Sequence, residues 1–151
     1  RNTLNAFVSL LLFLFMTPFL YAQCSYTPGG SCGTTITAPL TISGSTSWSG
    51  TVCVEEDVTI AGGGILAISS GTNVAFEPGV SITVEDGGQL IIDNAELYAS
   101  GGSGMWAGII GEAGNSIEVD HSTILHAAIA IQTTGESGYT STLMVTNITC
   151  L

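Results

Sequence analysis

A unit of eight residues repeats five times along the chain between residues 58 and 95. In each unit two apolar residues stand two positions apart, and a turn former follows them, then in four of the five units a glycine. The apolar positions are Val58 and Ile60, Leu66 and Ile68, Val74 and Phe76, Ile82 and Val84, and Leu90 and Ile92. Apolar residues at period two are typical of a short, half-buried strand, and glycine beside Asn, Asp or Pro is typical of the bend that ends it. The pattern therefore predicts five short strands that share one apolar face.

The length of the unit decides how these strands connect. Eight residues leave three or four for the strand and too few for a crossover helix of about ten residues. Antiparallel hairpins would favour Asn-Gly or Asp-Gly turns between longer strands. We therefore predict an all-β solenoid in which three units complete a coil of about 24 residues, and each strand pairs in parallel with its counterpart one coil later. The apolar residues would then stack in columns inside the coils.

The spacing becomes irregular after Ala95, although strand-like pieces continue as far as Leu143 and Val145. Ile109 and Ile131 are still separated by about one coil. Residues 100–104 and 133–141 are predicted to be loops that project between strands, because insertions there interrupt no apolar column. In all, about four coils stacked at ~4.8 Å are expected, which gives a rod about 20 Å long.

The charge of the chain is almost entirely negative. Arg1 is the only basic residue, and twelve Asp and Glu give a formal net charge of -11. Such a surface repels phosphate backbones, so nucleic acid is excluded as a partner. Solenoids that act as polysaccharide lyases on acidic sugars need an Arg or Lys as base and cations to neutralise the substrate carboxylate. The chain beyond Arg1 has neither side chain, and this excludes lyase chemistry for the sequence.

Residues 1–22 are predicted to be a secretory signal peptide. A compact apolar run from Ala6 to Met16 follows one Arg and precedes Pro18 and the small residue Ala22, after which cleavage is expected. A membrane anchor is the alternative, but the run is shorter than the ~20 residues that span a bilayer. We therefore expect an exported protein, secreted or at the cell surface, with no membrane contact once the signal is removed.

The remaining chain is expected to contain two segments. Residues 23–50, rich in Ser, Thr and Gly, would form an amino-terminal cap or linker, and residues 51–151 the solenoid. The sequence stops at Leu151 in a strand-like piece without the atypical cap that usually covers a solenoid end. We expect the sequence to be a fragment of a polypeptide that continues.

Export gives the four cysteines a structural meaning, because disulfides persist in oxidising compartments. Cys24 and Cys32 lie eight residues apart around a turn-forming segment, and they are the candidate disulfide. Cys53 and Cys150 are ambiguous, since each would be a buried free thiol or would pair with a residue beyond the sequence. A metal site at the cysteines is disfavoured because no second closely spaced Cys or His pair accompanies the first.

The candidate catalytic groups are three carboxylates and one aspartate–histidine pair. Glu77, Glu85 and Asp93 hold the same octad position, but three units make one coil, so they are expected on three different faces and each alone. Asp120 would orient the imidazole of His121 for base chemistry, yet no Ser, Thr or Cys motif identifies a nucleophile. The acidic residues 55–57 and 85–86 lack the spaced oxygen ligands of a calcium loop. No catalytic residue, no metal site and no cofactor are therefore predicted.

Trp106 is the candidate for carbohydrate binding. It follows the glycine-rich residues 100–104 and has small neighbours on both sides. An exposed indole would stack on a sugar ring, whereas a buried one would fill the space that a strand break opens. Burial is the favoured interpretation.

The sequence resembles secreted bacterial right-handed parallel β-helix proteins of the pectin-lyase-like superfamily. The resemblance covers residues 51–151 and rests on the octads containing residues 77–80 and 86–90 and on residues 105–109. It is strongest to the non-catalytic surface members, and it implies a structural or adhesive β-helix segment of an exported cell-surface protein, with glycans or cell-surface components as partners. The alternative is a carbohydrate-binding or glycan-hydrolysing β-helix whose active coil lies partly beyond Leu151. The oligomeric state and the ligand are left open.

Overall fold

The computed structural model of the chain describes residues 31–101, 104–135, 142–146 and 149–150, the last two segments as strands only. All the regular structure in these residues is β. The strands are β1 (Thr34–Ile36), β2 (Leu40–Ile42), β3 (Ser45–Trp48), β4 (Thr51–Val54), β5 (Val58–Ile60), β6 (Ile65–Ile68), β7 (Asn73–Phe76), β8 (Ser81–Val84), β9 (Gln89–Asp93), β10 (Glu96–Ala99), β11 (Trp106–Gly111), β12 (Ser116–Asp120), β13 (Thr123–Ile124), β14 (Ala127–Thr133), β15 (Thr142–Thr146) and β16 (Thr149–Cys150). In this part of the chain, no helix is long and apolar enough to cross a membrane.

Every third strand pairs in parallel, and this builds three sheets. Sheet A has the order β1-β4-β7-β10-β13-β16, sheet B the order β14-β11-β8-β5-β2, and sheet C the order β15-β12-β9-β6-β3. The chain therefore passes from A to B to C and back to A in each turn, and about four turns separate the first and last strands of sheets B and C. The predicted all-β parallel solenoid is confirmed.

The register confirms the predicted coil in the octad region and shows that coils elsewhere differ in length. Val58 pairs with Ile82 and Leu66 with Leu90, in both cases twenty-four residues apart. Only eighteen residues separate Leu40 from its partner Val58, whereas twenty-seven separate Ile82 from its partner Ile109. The longer coils accommodate the segment between β10 and β11, which was predicted to be a projecting loop.

The apolar octad positions form the core. All ten are between 0 % and 1 % exposed, and they pack in one cluster with the inward residues of the neighbouring coils. Full burial of a Val, Leu, Ile or Phe side chain contributes about 1.5–3 kcal/mol relative to its exposure to water. Because each column continues from coil to coil, the stacking of coils buries surface that a single coil would leave exposed.

The solenoid begins earlier than the predicted boundary at residue 51. β1, β2 and β3 lie within the segment expected to be a cap or linker, and they pair in parallel with β4, β5 and β6 as one more coil. These strands are rich in Ser and Thr, which obscures the strand pattern in the sequence. Ile42 and Trp48 are nevertheless buried, and Ile36 and Leu40 pack partly buried against the core. Residues 1–30, which include the predicted signal peptide, lie outside the described residues.

The bends explain why the octad pattern stops at Ala95. Gly87 has a φ of +74°, a left-handed conformation that glycine adopts without steric cost. In the fifth unit Asn94 takes this conformation, with a φ of +46°, one position earlier than the glycines do. Asparagine is the residue that most readily replaces glycine there, so the bend survives while the repeat spacing shifts.

Candidate functional site

Trp106 is buried, and it therefore offers no face to a sugar. Its exposed fraction is 0 %, its ring stacks on Phe76 with centroids 4.2 Å apart and planes 8° from parallel, and its Nε1–H donates to the carbonyl oxygen of Leu125 at 2.9 Å. Both the ring faces and the one polar atom are occupied by the protein itself. The candidate carbohydrate-binding role of Trp106 is incompatible with this burial, and the favoured alternative, a space-filling residue after a strand break, is confirmed.

The disulfide in the described residues joins Cys32 to Cys53. The sequence indicated Cys24 as the partner of Cys32, because the two are close along the chain. The solenoid instead brings Cys32, just before β1, beside the next coil, where Gly33 N–H donates to the carbonyl oxygen of Thr51 at 2.9 Å. The two bridged residues have Cα atoms 5.7 Å apart, well within the usual range for a disulfide. Cys24 and the side chain of Cys150 lie outside the described residues.

The three carboxylates of the octads lie at three different bends, as predicted, but each is stacked on another acid. Glu77 follows β7, Glu85 follows β8, and Asp93 ends β9. The acids one coil away are Glu55 below Glu77, Glu112 above Glu85, and Asp120, which is the register partner of Asp93. The sequence did not reveal these pairs, because the coils that separate them are twenty-two and twenty-seven residues long rather than twenty-four.

The bend between sheets C and A brings together the most chemically varied group in the described residues. Ligand-type atoms of Asp93, Asp120 and His121 all lie within 4.8 Å of one another, and His121 Nδ1 is 2.8 Å from an Oδ1 of Asp120. The side chain of His121 is 61 % exposed and that of Asp120 37 %. His121 itself has a φ of +45°, so the stacked bends hold the same left-handed backbone at Asn94 and at His121. We refer to Asp93, Asp120 and His121 as the corner cluster.

Ser122 is the nearest hydroxyl in sequence to the Asp120–His121 pair, but its contacts make it a structural residue. It is 1 % exposed, its Oγ donates to the carbonyl oxygen of Asp120 at 2.6 Å, and it accepts from the N–H of Ala95 at 3.2 Å. The hydroxyl hydrogen is thus held by the backbone and not by the imidazole. A Ser-His-Asp arrangement for nucleophilic catalysis, which requires a base within reach of the nucleophile, is not formed at this bend.

Two grooves lie along the outer face of sheet A. One, of about 360 Å³, is lined by the Cys32–Cys53 disulfide, Ala75, Tyr98 and the carboxylates Glu55 and Glu77. The Ser100 hydroxyl donates to Oε1 of Glu77 at 2.6 Å on its wall. The other, of about 390 Å³, lies at the start of the sheet A strands, where Asn73, Glu96 and Thr123 meet the corner cluster at His121. Both are open to solvent, and neither is lined by a lysine or an arginine.

Comparison with family models, with curated proteins and with solved structures found no significant match for this chain. What the structure establishes is therefore the class: an all-β parallel solenoid of about four turns. The arrangement of its polar groups, described above, is the basis for any statement about its function.

Proposed function

We propose that this chain is a structural or adhesive segment of an exported bacterial cell-surface protein, a rigid β-helix without catalysis of its own. The observation that carries the proposal is how the interior is used. The ten octad positions are apolar and buried, and Trp106, the candidate for sugar binding, belongs to the same core. The pectin-lyase-like resemblance of the sequence agrees with this use of the fold, although fold alone does not fix activity.

The buried polar side chains support a structural use. Thr72, Asn115 and Ser122 are the buried polar residues in the described part of the chain, and each is 2 % exposed or less. Each donates from its side chain to a backbone carbonyl oxygen, those of Trp48, Glu112 and Asp120 respectively. Such bonds satisfy backbone groups at bends where the sheet ladder is interrupted. These groups therefore stabilise the coils and are not presented to a substrate.

The disulfide and the charge support export and a surface location. A bridge between Cys32 and Cys53 persists in oxidising compartments, and the cytosol keeps such thiols reduced. A strongly negative surface favours solubility and repels other acidic polymers. Glycans or other cell-surface components are the partners that we propose for its outer faces, and nucleic acid is not among them.

Carbohydrate binding is the second candidate, and the groove beside the disulfide favours it. Glu55 and Glu77 line it and provide acceptors for sugar hydroxyls, whereas the lining residues Ala75 and Tyr98 are only 3 % and 2 % exposed and offer no face to a sugar ring. A volume of about 360 Å³ falls within the range of small-ligand sites. Hydrolysis would require, in addition, a pair of carboxylates in distinct environments.

One experiment separates the two candidates. The purified chain is applied to a glycan array and incubated with neutral polysaccharides in a reducing-sugar assay. For the structural segment we expect no turnover, and sustained release of reducing ends would overturn the proposal. Saturable glycan binding that Glu77→Gln abolishes and Glu85→Gln leaves intact would locate carbohydrate binding in the groove beside the disulfide, as the second candidate requires, since Glu85 lies at a different bend. Binding that both variants retain would agree with adhesion by another face of the first candidate.

Export is tested separately. Residues 1–31 are fused to an alkaline phosphatase that is active only after it has left a bacterial cytoplasm. We expect activity from this fusion and none from a matched fusion that lacks residues 1–22. Equal activity of the two fusions, or none from either, would contradict the export part of the proposal.

A further inference from the structure

We propose that the corner cluster binds a divalent transition-metal ion of the zinc type, held between two neighbouring coils by one oxygen of Asp93, one oxygen of Asp120 and a ring nitrogen of His121. This inference is independent of the proposed structural role, since a metal ion that joins two coils is compatible with either function considered above.

The geometry of the three side chains is already close to that of a metal site. Their ligand-type atoms lie within 4.8 Å of one another. Three such atoms share a centre no farther than about 2.8 Å from each, and small side-chain rotations reduce this to the ~2.0–2.2 Å of zinc bonds to nitrogen and oxygen. Asp93 and Asp120 are register partners on adjacent strands. The rigid ladder therefore fixes the separation of their backbones.

The backbone at the bend also holds the third ligand in place. The N–H of Asn94 donates to the carbonyl oxygen of Asp120 at 3.0 Å, and the Oγ of Ser122 donates to the same oxygen. The peptide that links Asp120 to His121 is thus bonded to the coil that carries Asp93. Ligands that are fixed before the ion arrives lose little conformational freedom on binding.

The local charge calls for a cation. Two carboxylates are stacked at this bend, and the described residues contain no lysine or arginine, because Arg1 is the only basic residue of the chain. An imidazole and two carboxylates form a mixed nitrogen and oxygen donor set. Calcium and magnesium prefer all-oxygen sites, whereas zinc and its neighbours accept imidazole readily. The donor set therefore selects a transition metal, with water completing the coordination at this exposed position.

The test is a metal titration of the full chain after treatment with a chelator and its removal. Zinc chloride is titrated by calorimetry, and two-dimensional NMR follows the backbone amides at the same time. We expect one saturable ion per chain and shifts confined to residues 93–96 and 119–123. Binding that never saturates, or shifts spread over every acidic bend, would overturn the proposal and indicate a counterion atmosphere only.

Matched variants identify the ligands. Asp93→Asn keeps the shape of the side chain, and His121→Asn keeps a residue that tolerates the left-handed backbone; each is expected to weaken zinc binding at least tenfold. The control is the double variant Glu85→Gln with Glu112→Gln. It removes a pair of carboxylates that lie one coil apart at another bend, outside the corner cluster, and the zinc affinity should be unchanged. An equal loss in the control and in the cluster variants would refute the site. So would unchanged affinity in Asp93→Asn, whose folding is checked by the unshifted amides of sheet B.

Discussion

At the scale of single residues, Trp106 illustrates how one side chain repairs an irregular repeat. The chain leaves sheet A at Ala99, runs through a glycine-rich segment and re-enters the solenoid at Trp106. The large ring fills the interior beside Phe76, and its N–H satisfies a carbonyl oxygen in the next coil. Burial of the ring and pairing of the polar atom must occur together, because an unpaired donor inside the core would be costly.

We predict that Trp106→Ala lowers the free energy of unfolding by about 3–5 kcal/mol, the usual cost of removing a large buried aromatic side chain. Urea denaturation followed by far-ultraviolet circular dichroism, which reports the backbone and not the tryptophan, measures the change. The control is Met105→Ala at the neighbouring position, where the side chain is 60 % exposed, and a change within about 0.5 kcal/mol is expected there. Similar effects of the two substitutions would contradict the role assigned to the ring.

At the scale of elements, the contact between β11 and β14 contains an irregularity that depends on one glycine. The register shifts between Gly108 and Ile109, where Gly108 pairs with Ile129 and Ile109 with Ile131. Gly108 has a φ of +108°, and a Cβ at this position would collide with the carbonyl oxygen of Ile129. The extra residue of β14 is therefore accommodated by the absence of a side chain in β11, as is usual for glycine at bulges.

Gly108→Ala is accordingly expected to destabilise the chain by at least about 1–3 kcal/mol, because it combines backbone strain with a steric clash. Gly44→Ala is the matched control, since a Cβ at Gly44 meets nothing within 4 Å and its φ is not left-handed. Thermal unfolding of the two variants measures the difference. If both variants melt together with the parent chain, the proposed basis of the bulge is wrong.

The first coil is a second element whose stability can be tested. β1 pairs only with β4 among the described strands, and the Cys32–Cys53 bridge closes the loop that contains β1, β2 and β3. We predict that reduction of the disulfide removes about 3 kcal/mol, the value expected for a loop of this length in the chain-entropy treatment. Hydrogen exchange should show faster opening of β1 to β3, with β7 to β9 unchanged.

The double variant Cys32→Ser with Cys53→Ser is the control for that experiment. It should behave as the reduced chain does under both oxidising and reducing conditions. A response of the double variant to the reductant would assign the effect to another cysteine, and uniform acceleration of exchange in all coils would show that the bridge stabilises the whole solenoid rather than its first coil.

At the scale of the whole molecule, charge repulsion accompanies the stacking. The net charge of -11 has no basic side chain beyond Arg1 to offset it, and stacked acids occur at three different bends. Salt screens such repulsion, since the Debye length falls from about 30 Å at 0.01 M to about 8 Å at 0.15 M ionic strength. We expect the melting temperature to rise between these salt concentrations, as calorimetry would show.

The variant with Glu85→Gln and Glu112→Gln tests the origin of that rise. It carries two charges fewer at one bend, so its melting temperature should be higher than that of the parent at low salt, and its increase on adding salt should be smaller. Sodium chloride and choline chloride at equal ionic strength should act alike if screening is the cause. An identical salt response in the parent and the variant would exclude these two carboxylates as its source.

The fold could be predicted from the sequence where the eight-residue apolar repeat is regular. Between residues 58 and 95 each strand has two inward residues and each bend a fixed length, so the columns could be predicted before the coils were seen. The first coil was missed because Thr34 and Thr46 interrupt the inward apolar columns of its short strands, which are otherwise rich in Ser and Thr. The handedness of the predicted β-helix stays a prediction.

The polar groups were less predictable, because their neighbours depend on coil length. Asp93 and Asp120 meet because twenty-seven residues complete their coil. Cys32 reaches Cys53 across a coil of eighteen residues, in which Thr34 pairs with Val52, so the bridged cysteines are not register partners although they are twenty-one residues apart. No local pattern encodes these coil lengths, since they depend on the lengths of the bends, such as the segment before Trp106. Cys24 was predicted as the partner of Cys32 because the two are close along the chain. Cys32 instead pairs with Cys53, which lies beside it in the next coil.

The variable coil length also separates two kinds of change that such a chain can undergo. Residues added at a bend lengthen one coil and leave the spacing between coils unchanged. Foreign peptides inserted at residues 100–104 should therefore be displayed without altering any other coil. A deletion inside a strand has the opposite effect, because it turns the side chains that follow it in that strand to the other side of the sheet. Natural variation and engineered insertions should accordingly accumulate at the corners of this rod and spare its walls.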